Sequence, residues 1–161
     1  MKLSLNTLHD PFWEEHEVET PKFDIEKMRE NTRKSPVWIH FGAGNIFRGF
    51  IAELQQRLLD AGEEKSGIIA CDTFDYEIID KIYKPYDNLT LLVGLKPDGT
   101  TDKKIVASVA DGIKADASDV KEMERLRSLV RNPSLQMISF TITEKGYALA
   151  DLNGNLFPAV E

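Results

Sequence analysis

The chain is short of cysteine, of histidine and of positive charge. Its 161 residues include one cysteine, Cys71, and three histidines, His9, His16 and His40. A lone cysteine excludes an internal disulfide and fits a reducing cytoplasmic location. Its plainer role is that of a small apolar residue inside a strand. The histidines and the cysteine have none of the paired spacings of a zinc site, so no metal is expected. Lysine and arginine number 20 against 27 aspartates and glutamates, a net charge of −7. Nucleic-acid binding draws its affinity from basic side chains that displace counterions, so a nucleic-acid partner is not expected. The one basic stretch, Arg29 to Lys34, is short and interrupted and reads as a solvated helix end. The acidic run Glu14, Glu15, Glu17 and Glu19 reads as a solvated arm rather than a metal site. No apolar run approaches the roughly 18 residues of a membrane span. The start, Met1-Lys2-Leu3-Ser4-Leu5-Asn6, lacks the apolar segment of a secretory signal.

What is present is an ordinary globular composition, 42% hydrophobic and 29% charged, at a length that suits one domain. Residues 1–35 are expected to form an arm, broken at Asp10-Pro11 and Thr20-Pro21. Within it Phe12 and Trp13 are pinned to the domain and a short helix begins near Asp24. Residues 36–161 alternate strand and helix. A strand over Val37 to Phe41 runs into Gly42-Ala43-Gly44 and an amphipathic helix that places Ile46, Phe50, Ile51, Leu54 and Leu58 on one face. Gly62 stops that helix. A buried strand ends at Asp72, and a helix over Asp75 to Tyr83 turns Ile78, Ile79 and Ile82 inward. Leu89 to Leu95 and Lys104 to Ala110 are separated by Pro97-Asp98-Gly99-Thr100 and predict an antiparallel hairpin. A helix over Ser118 to Val130, capped by Asp116 or Ser118, leads to a strand over Leu135 to Thr143. Asn153-Gly154 suggests another hairpin. The fold class is therefore α/β: a Rossmann-type doubly wound sheet, mainly parallel, with an antiparallel hairpin excursion.

The junction strand–Gly42-x-Gly44–helix carries the clearest chemistry. A pyrophosphate must approach bare backbone, and the helix start offers unpaired N–H groups and a positive dipole end. A Gly-x-Gly alone is often only a turn; here it follows a strand and opens a helix. The third-glycine slot holds Phe47, so either the side chain points away from the usual packing or the helix stands off the strand. Asp72 stands at the end of the second strand, 28 residues after Gly44, where a carboxylate accepts from ribose hydroxyls and repels a 2′-phosphate, favouring NAD. The alternative is a helix-capping aspartate, although Asp75 is better placed for a cap. Arg48 is placed to meet a phosphate or to pair with a surface acid such as Glu53. Thr141, Thr143, Glu144 and Lys145 sit at the end of a later strand, where a doubly wound sheet faces its ligand.

His40-Phe41-Gly42-Ala43-Gly44-Asn45-Ile46-Phe47-Arg48-Gly49-Phe50-Ile51 resembles the first strand and turn of mannitol-1-phosphate 5-dehydrogenases, with Phe47 in place of a glycine. The spaced Gly-x-Gly followed by Arg48 is similar to the mannitol 2-dehydrogenase and fructuronate or tagaturonate reductase branch, which has His where this chain has Phe50. Thr141-Ile142-Thr143-Glu144-Lys145-Gly146-Tyr147 is similar to a second hallmark of the same superfamily. From Val37 to Tyr147 the chain thus resembles the N-terminal Rossmann domain of the mannitol dehydrogenase family and mixes features of its branches. The resemblance implies metal-free hydride transfer between NAD(P) and a secondary alcohol of a polyol, polyol phosphate or hexuronate.

Together the two readings place Gly42, Ala43, Gly44, Asn45, Ile46, Phe47 and Arg48 at the pyrophosphate and Asp72 and Thr73 at the adenosine ribose. Thr141 and Thr143 are placed toward the nicotinamide. Glu144 and Lys145 border the substrate or form a solvated turn. The resemblance also implies a general-base lysine within Lys-x4-Asn-x2-His on a second domain. Lys103, Lys104, Lys114, Lys121 and Lys145 all lack that Asn and His. An Asp-Asn strand end that completes the cofactor pocket is missing too. The expectation is an incomplete Rossmann domain without a catalytic residue of its own, its catalytic domain outside these residues, and with uncovered apolar surface that favours self-association. The alternatives are a non-catalytic module that senses NAD or NADH and a protein-interaction domain that has lost the nucleotide.

Overall fold

The computed structural model describes residues 1–142, 148–151 and 153–157. In chain order the elements are α1 (Phe12–Glu15), β1 (Val18–Glu19), α2 (Ile25–Lys34), β2 (Trp38–Phe41), α3 (Ala52–Asp60) and β3 (Ile68–Asp72). There follow α4 (Tyr76–Ile78), β4 (Thr90–Leu95), β5 (Thr101–Val106), β6 (Val109–Lys114), α5 (Val120–Val130) and β7 (Met137–Phe140). A π-helical turn, Phe47–Ile51, leads into α3, and another, Ile79–Tyr83, continues α4.

Four strands form one sheet in the order β6-β3-β2-β7, and every pair is parallel. This is the strand order of the first half of a Rossmann sheet with one strand added beyond the first. Parallel strands are covered by crossover helices on both faces, so successive positions must be apolar. Residues Ile68 to Asp72 are accordingly all buried. Phe47, Ala52, Ile79 and Tyr83 pack on Ile68 and Ala70 on one face. On the other, Leu126 of α5 packs with Ile39, Ile69, Cys71 and Ile113. The burial of Cys71 pushes its thiol up to about 12, which leaves it a protonated, apolar filler.

The antiparallel excursion is the β4–β5 hairpin, and it builds a separate three-stranded sheet in the order β1-β5-β4. Residues 1–25 are wrapped onto it, while α2 lies against β6 of the parallel sheet. β1 runs parallel to β5, with Val18 level with Lys103. Trp13 and Val18 join Leu89, Ile105 and Ala107 in a second core, with Leu3, Leu5 and Phe23 packed around it. The Trp13 indole donates to Thr7 O at 2.6 Å, and Leu5 N–H donates to Asp87 Oδ2 at 2.9 Å.

Local details differ from the sequence expectation. Asp119, not Asp116 or Ser118, caps α5 by accepting from Lys121 N and Glu122 N, each at 3.1 Å. Asp116 instead closes the preceding turn on Ser118. The last core strand is shorter than Leu135 to Thr143. Near Asn153-Gly154 an antiparallel bridge joins Ala150 and Leu156.

The largest difference is the orientation of α3. Of the apolar stripe, Ile46, Phe50, Leu54 and Leu58 are 67%, 60%, 41% and 48% exposed, while Ile51 packs half-buried against the core. The buried side carries Phe47, Ala52, Glu53, Gln55, Gln56 and Leu59. Hydrogen bonds make that polar burial tolerable. The Gln56 amide donates to Ile105 O at 2.7 Å and accepts from Ala107 N at 2.5 Å, so it ties α3 to the hairpin. Gln55 donates to Ser66 O at 2.7 Å, and Glu53 accepts from Arg57 and Lys104 at 2.8 and 3.1 Å. Because Gln56 leaves two buried backbone groups unpaired when removed, Gln56→Leu is expected to cost about 2 kcal/mol or more of unfolding free energy. Leu58→Gln on the outer face should change it by less than about 0.5 kcal/mol. Urea titration of both variants checks this, and a larger loss for Leu58→Gln would put the apolar stripe against the sheet.

Candidate functional site

The strand order reverses at β2, with β3 and β6 on one side and β7 on the other. In such sheets the crevice beyond the carboxyl ends of the two diverging strands receives the ligand. Phe41 and Phe140 end β2 and β7 side by side, ring centroids 5.2 Å apart. The chain leaves β2 through Gly42, which has φ +104°, a region that strongly favours glycine. A Cβ there would also fall on Thr141 Oγ1 and Thr141 O.

Four partners hold the polar backbone of this turn. Gly42 N–H donates to Cys71 O at 2.8 Å. Gly42 O accepts from the Thr141 hydroxyl at 3.0 Å. Ala43 N–H donates to Asp72 Oδ2 at 3.0 Å, and Ala43 O accepts from the Tyr83 hydroxyl at 2.8 Å. In a trans peptide the C=O and the next N–H point opposite ways. Tyr83, holding the Ala43 carbonyl inward, therefore turns the Gly44 N–H outward. Tyr83 is 2% exposed, and burial pushes its phenol up, so it stays a donor. Nothing in its helix pattern marks it out; only the fold brings it to the turn.

Beyond the turn the backbone is open. A Cβ on Gly44 would meet nothing within 4 Å. The first helical hydrogen bond is Arg48 N–H to Gly44 O at 3.1 Å, so the amides of Asn45, Ile46 and Phe47 precede the closed ladder. Such a helix start attracts an anion. Asn45 and Ile46 are exposed. The Arg48 guanidinium donates to Asn45 Oδ1, and its buried Nε has no partner among the described residues. Glu53 is engaged with Arg57 and Lys104, so it is not the acid that Arg48 meets.

Phe47, in the third-glycine slot, is fully buried and stacks on the His40 ring, centroids 4.3 Å apart and 9° between planes. The side chain points into the core, and the helix opens as a wider π-turn around it. His40 itself is hydrogen-bonded at Nδ1 to Ser139 Oγ, 2.8 Å, and at Nε2 to Thr141 Oγ1, 3.1 Å. Burial pushes it down to about 4, so it is neutral at pH 7. Sequence reading left this histidine without a role.

Asp72 is only 8% exposed. Besides Ala43 N–H it accepts from Phe74 N and Asp75 N at 2.9 and 2.8 Å, so it, rather than the Asp75 side chain, organises the start of α4. Thr73 is exposed, and Phe74 is 93% exposed beside it. Thr141 lies at the turn, with its hydroxyl hydrogen directed to Gly42 O. Thr143, Glu144 and Lys145 lie outside the described residues. Among the described residues no group of three His, Cys, Asp or Glu could hold a metal ion, and no helix is long and apolar enough to cross a membrane. A cavity between α2 and α5, lined by Arg29, Arg33, Asp111 and Arg125, contains none of these site residues.

No family model matches the chain. D-mannonate oxidoreductase of Thermotoga maritima is 51% identical over 161 residues, covering 99% of this chain and 30% of the relative. Polyol:NADP oxidoreductase of Gluconobacter oxydans is 25% identical over 141 residues, covering 85% of this chain and 27% of the relative. Among solved structures, Pseudomonas fluorescens mannitol 2-dehydrogenase, in a ternary complex with NAD and D-mannitol, has the same fold. The TM-score is 0.73 at 25% identity, over 97% of this chain and 30% of the other. The chain thus spans 27–30% of the length of the curated relatives it matches. These likenesses, together with the sheet order and the turn at Gly42, support an N-terminal domain of the mannitol dehydrogenase family.

Proposed function

We propose that this chain is the NAD-holding part of an oxidoreductase that moves hydride between NAD and a secondary alcohol of a polyol, polyol phosphate or hexuronate. The observation that carries the reading is the helix start after Gly44: open backbone, amides ahead of the helical ladder and a buried guanidinium nitrogen with no partner among the described residues, at the switch point of a parallel sheet. That set fits a pyrophosphate. The amides of Gly44, Asn45, Ile46 and Phe47, with the Arg48 guanidinium, would hold it. Gly42 and Ala43 shape the turn beneath. Asp72, with three of about four lone-pair sites taken by backbone N–H groups, keeps one beside exposed Thr73 for the adenosine ribose, and exposed Phe74 offers a flat face to the adenine. When bound, the cofactor supplies the hydride acceptor or donor.

Thr141 stands at the nicotinamide side, and Thr143, Glu144 and Lys145 are assigned there and to the substrate side by their resemblance to the family's second hallmark. The base belongs to a Lys-x4-Asn-x2-His helix, absent from these 161 residues. The outward stripe on α3 and exposed Met137, Ile138 and Phe140 on β7 are surfaces for further protein, or for self-association of the chain alone. The single buried Cys71 suits a cytosolic setting.

Three outcomes test the reading. Gly44→Val should leave the urea midpoint nearly unchanged, since its Cβ meets nothing, yet weaken NAD binding by about 30-fold or more in calorimetry. Unchanged affinity would remove the pyrophosphate from this turn. Asp72 should set a preference for NAD over NADP, since a carboxylate repels a 2′-phosphate. Asp72→Asn keeps one acceptor oxygen and should narrow the ratio of the two dissociation constants; a wild type that already favours NADP sinks the assignment. Finally, the chain alone, given NAD with mannonate, altronate or mannitol, should produce no NADH above background. A proton acceptor must sit within hydrogen-bond reach of the substrate hydroxyl, and the Lys-x4-Asn-x2-His motif expected to supply it does not occur in these residues. Measurable turnover by the fragment would place the base within these residues.

A further inference from the structure

We propose that His40 is a positioning residue: as the neutral, Nε2-protonated tautomer it orients the glycine turn through Thr141, one strand away. The inference rests on the NAD-binding reading of that turn and adds a residue to it.

The direction of the hydrogen-bond chain is set at both ends by chemistry. The Trp38 indole can only donate, and it meets Ser139 Oγ at 2.7 Å. The Gly42 carbonyl can only accept, and it meets Thr141 Oγ1 at 3.0 Å. Thr141 has one hydroxyl hydrogen and gives it to Gly42, so toward His40 Nε2, at 3.1 Å, it must accept. Nε2 therefore carries the proton. Nδ1 then holds a lone pair and accepts from Ser139, at 2.8 Å, whose oxygen in turn accepts from Trp38. The opposite tautomer would set the Nε2 and Thr141 lone pairs against each other. A charged ring would leave a buried cation with no carboxylate among its hydrogen-bond partners. Phe47, stacked at 4.3 Å, holds the ring plane, so the residue in the third-glycine slot is the one that keeps His40 aligned.

The consequence reaches the ligand side in two steps. Thr141 holds the Gly42 carbonyl, which aims the Ala43 N–H of the same peptide at Asp72. Tyr83 then holds the Ala43 carbonyl and leaves the Gly44 N–H facing out. Loss of the first anchor frees the first peptide plane to rotate, and the amide offered to phosphate moves with it.

The test combines a ligand-free signature with binding. Nitrogen-15 NMR of wild type at pH 7 should show the Nε2–H tautomer at His40. His40→Phe keeps an aromatic ring for the stack but cuts the chain; it should shift the Gly42, Ala43 and Gly44 amide resonances and weaken NAD binding by about 10-fold. Thr141→Val should do the same, Thr141→Ser should restore binding to within about twofold, and the double variant should bind no worse than either single one. An Nδ1–H tautomer, or a folded His40→Phe or Thr141→Val chain with unmoved turn amides and wild-type affinity, overturns the proposal. If His40→Phe fails to fold, the tautomer and the Thr141 pair decide it. A wild type that shows the expected tautomer and Thr141-dependent turn amides but binds no NAD would defeat the proposed cofactor role, and with it the benefit to binding, while leaving the hydrogen-bond chain established.

Discussion

At the carboxyl edge of a parallel sheet, a strand must hand its chain to a helix, and the backbone between them loses its ladder partners. In this molecule the chain turns at Gly42 and Ala43, pressed against the ends of β3 and β7. A buried peptide group without a partner costs more than most side-chain contacts return. Each polar group of the two residues is therefore claimed by a different neighbour: Cys71 O, Thr141 Oγ1, Asp72 Oδ2 and Tyr83 Oη. The turn binds β3, the α4 region and β7 to β2 at one point, and the geometry of everything beyond it follows.

That arrangement separates residues that hold the turn from residues that are free to meet a ligand. Thr141, Tyr83 and, through Thr141, His40 belong to the first group. Gly44, Asn45, Ile46, Arg48, Thr73 and Phe74 belong to the second. Asp72 works in both directions, since its two oxygens accept three backbone N–H groups and a carboxylate offers about four lone-pair sites. A turn held this way is fixed in advance, and this is the property a rigid backbone cradle for an anion requires.

The same constraint shapes α3. Phe47 enters the core to stack on His40, the helix opens as a π-turn, and the side that reaches the sheet carries Ala52, Gln55 and Gln56. Their amides satisfy backbone groups in the hairpin and in the loop before β3, in place of apolar packing. The apolar stripe is left outward, beginning at Ile46 next to the helix start. In relatives more than three times as long, further polypeptide accompanies a domain of this kind.

The alternation of strand and helix, the hairpin at Pro97-Asp98-Gly99-Thr100 and the strand–Gly-x-Gly–helix junction were legible in the sequence, because each is written in neighbouring residues; the division of the expected strand Lys104 to Ala110 into β5 and β6, which join different sheets, was not. Asp72 was legible as a strand-end carboxylate. Its three backbone partners, Tyr83 on the Ala43 carbonyl, and the Trp38–Ser139–His40–Thr141 chain were not, because each joins residues tens of positions apart. Periodicity showed that α3 is amphipathic but not which face is covered. Burying Gln55 and Gln56 is favourable only where Ser66, Ile105 and Ala107 stand ready to pair with them. The spacing of apolar residues along a chain reports solvent preference one residue at a time. Which surface meets a neighbour, and which buried polar group finds its partner, is decided only when the distant segments meet.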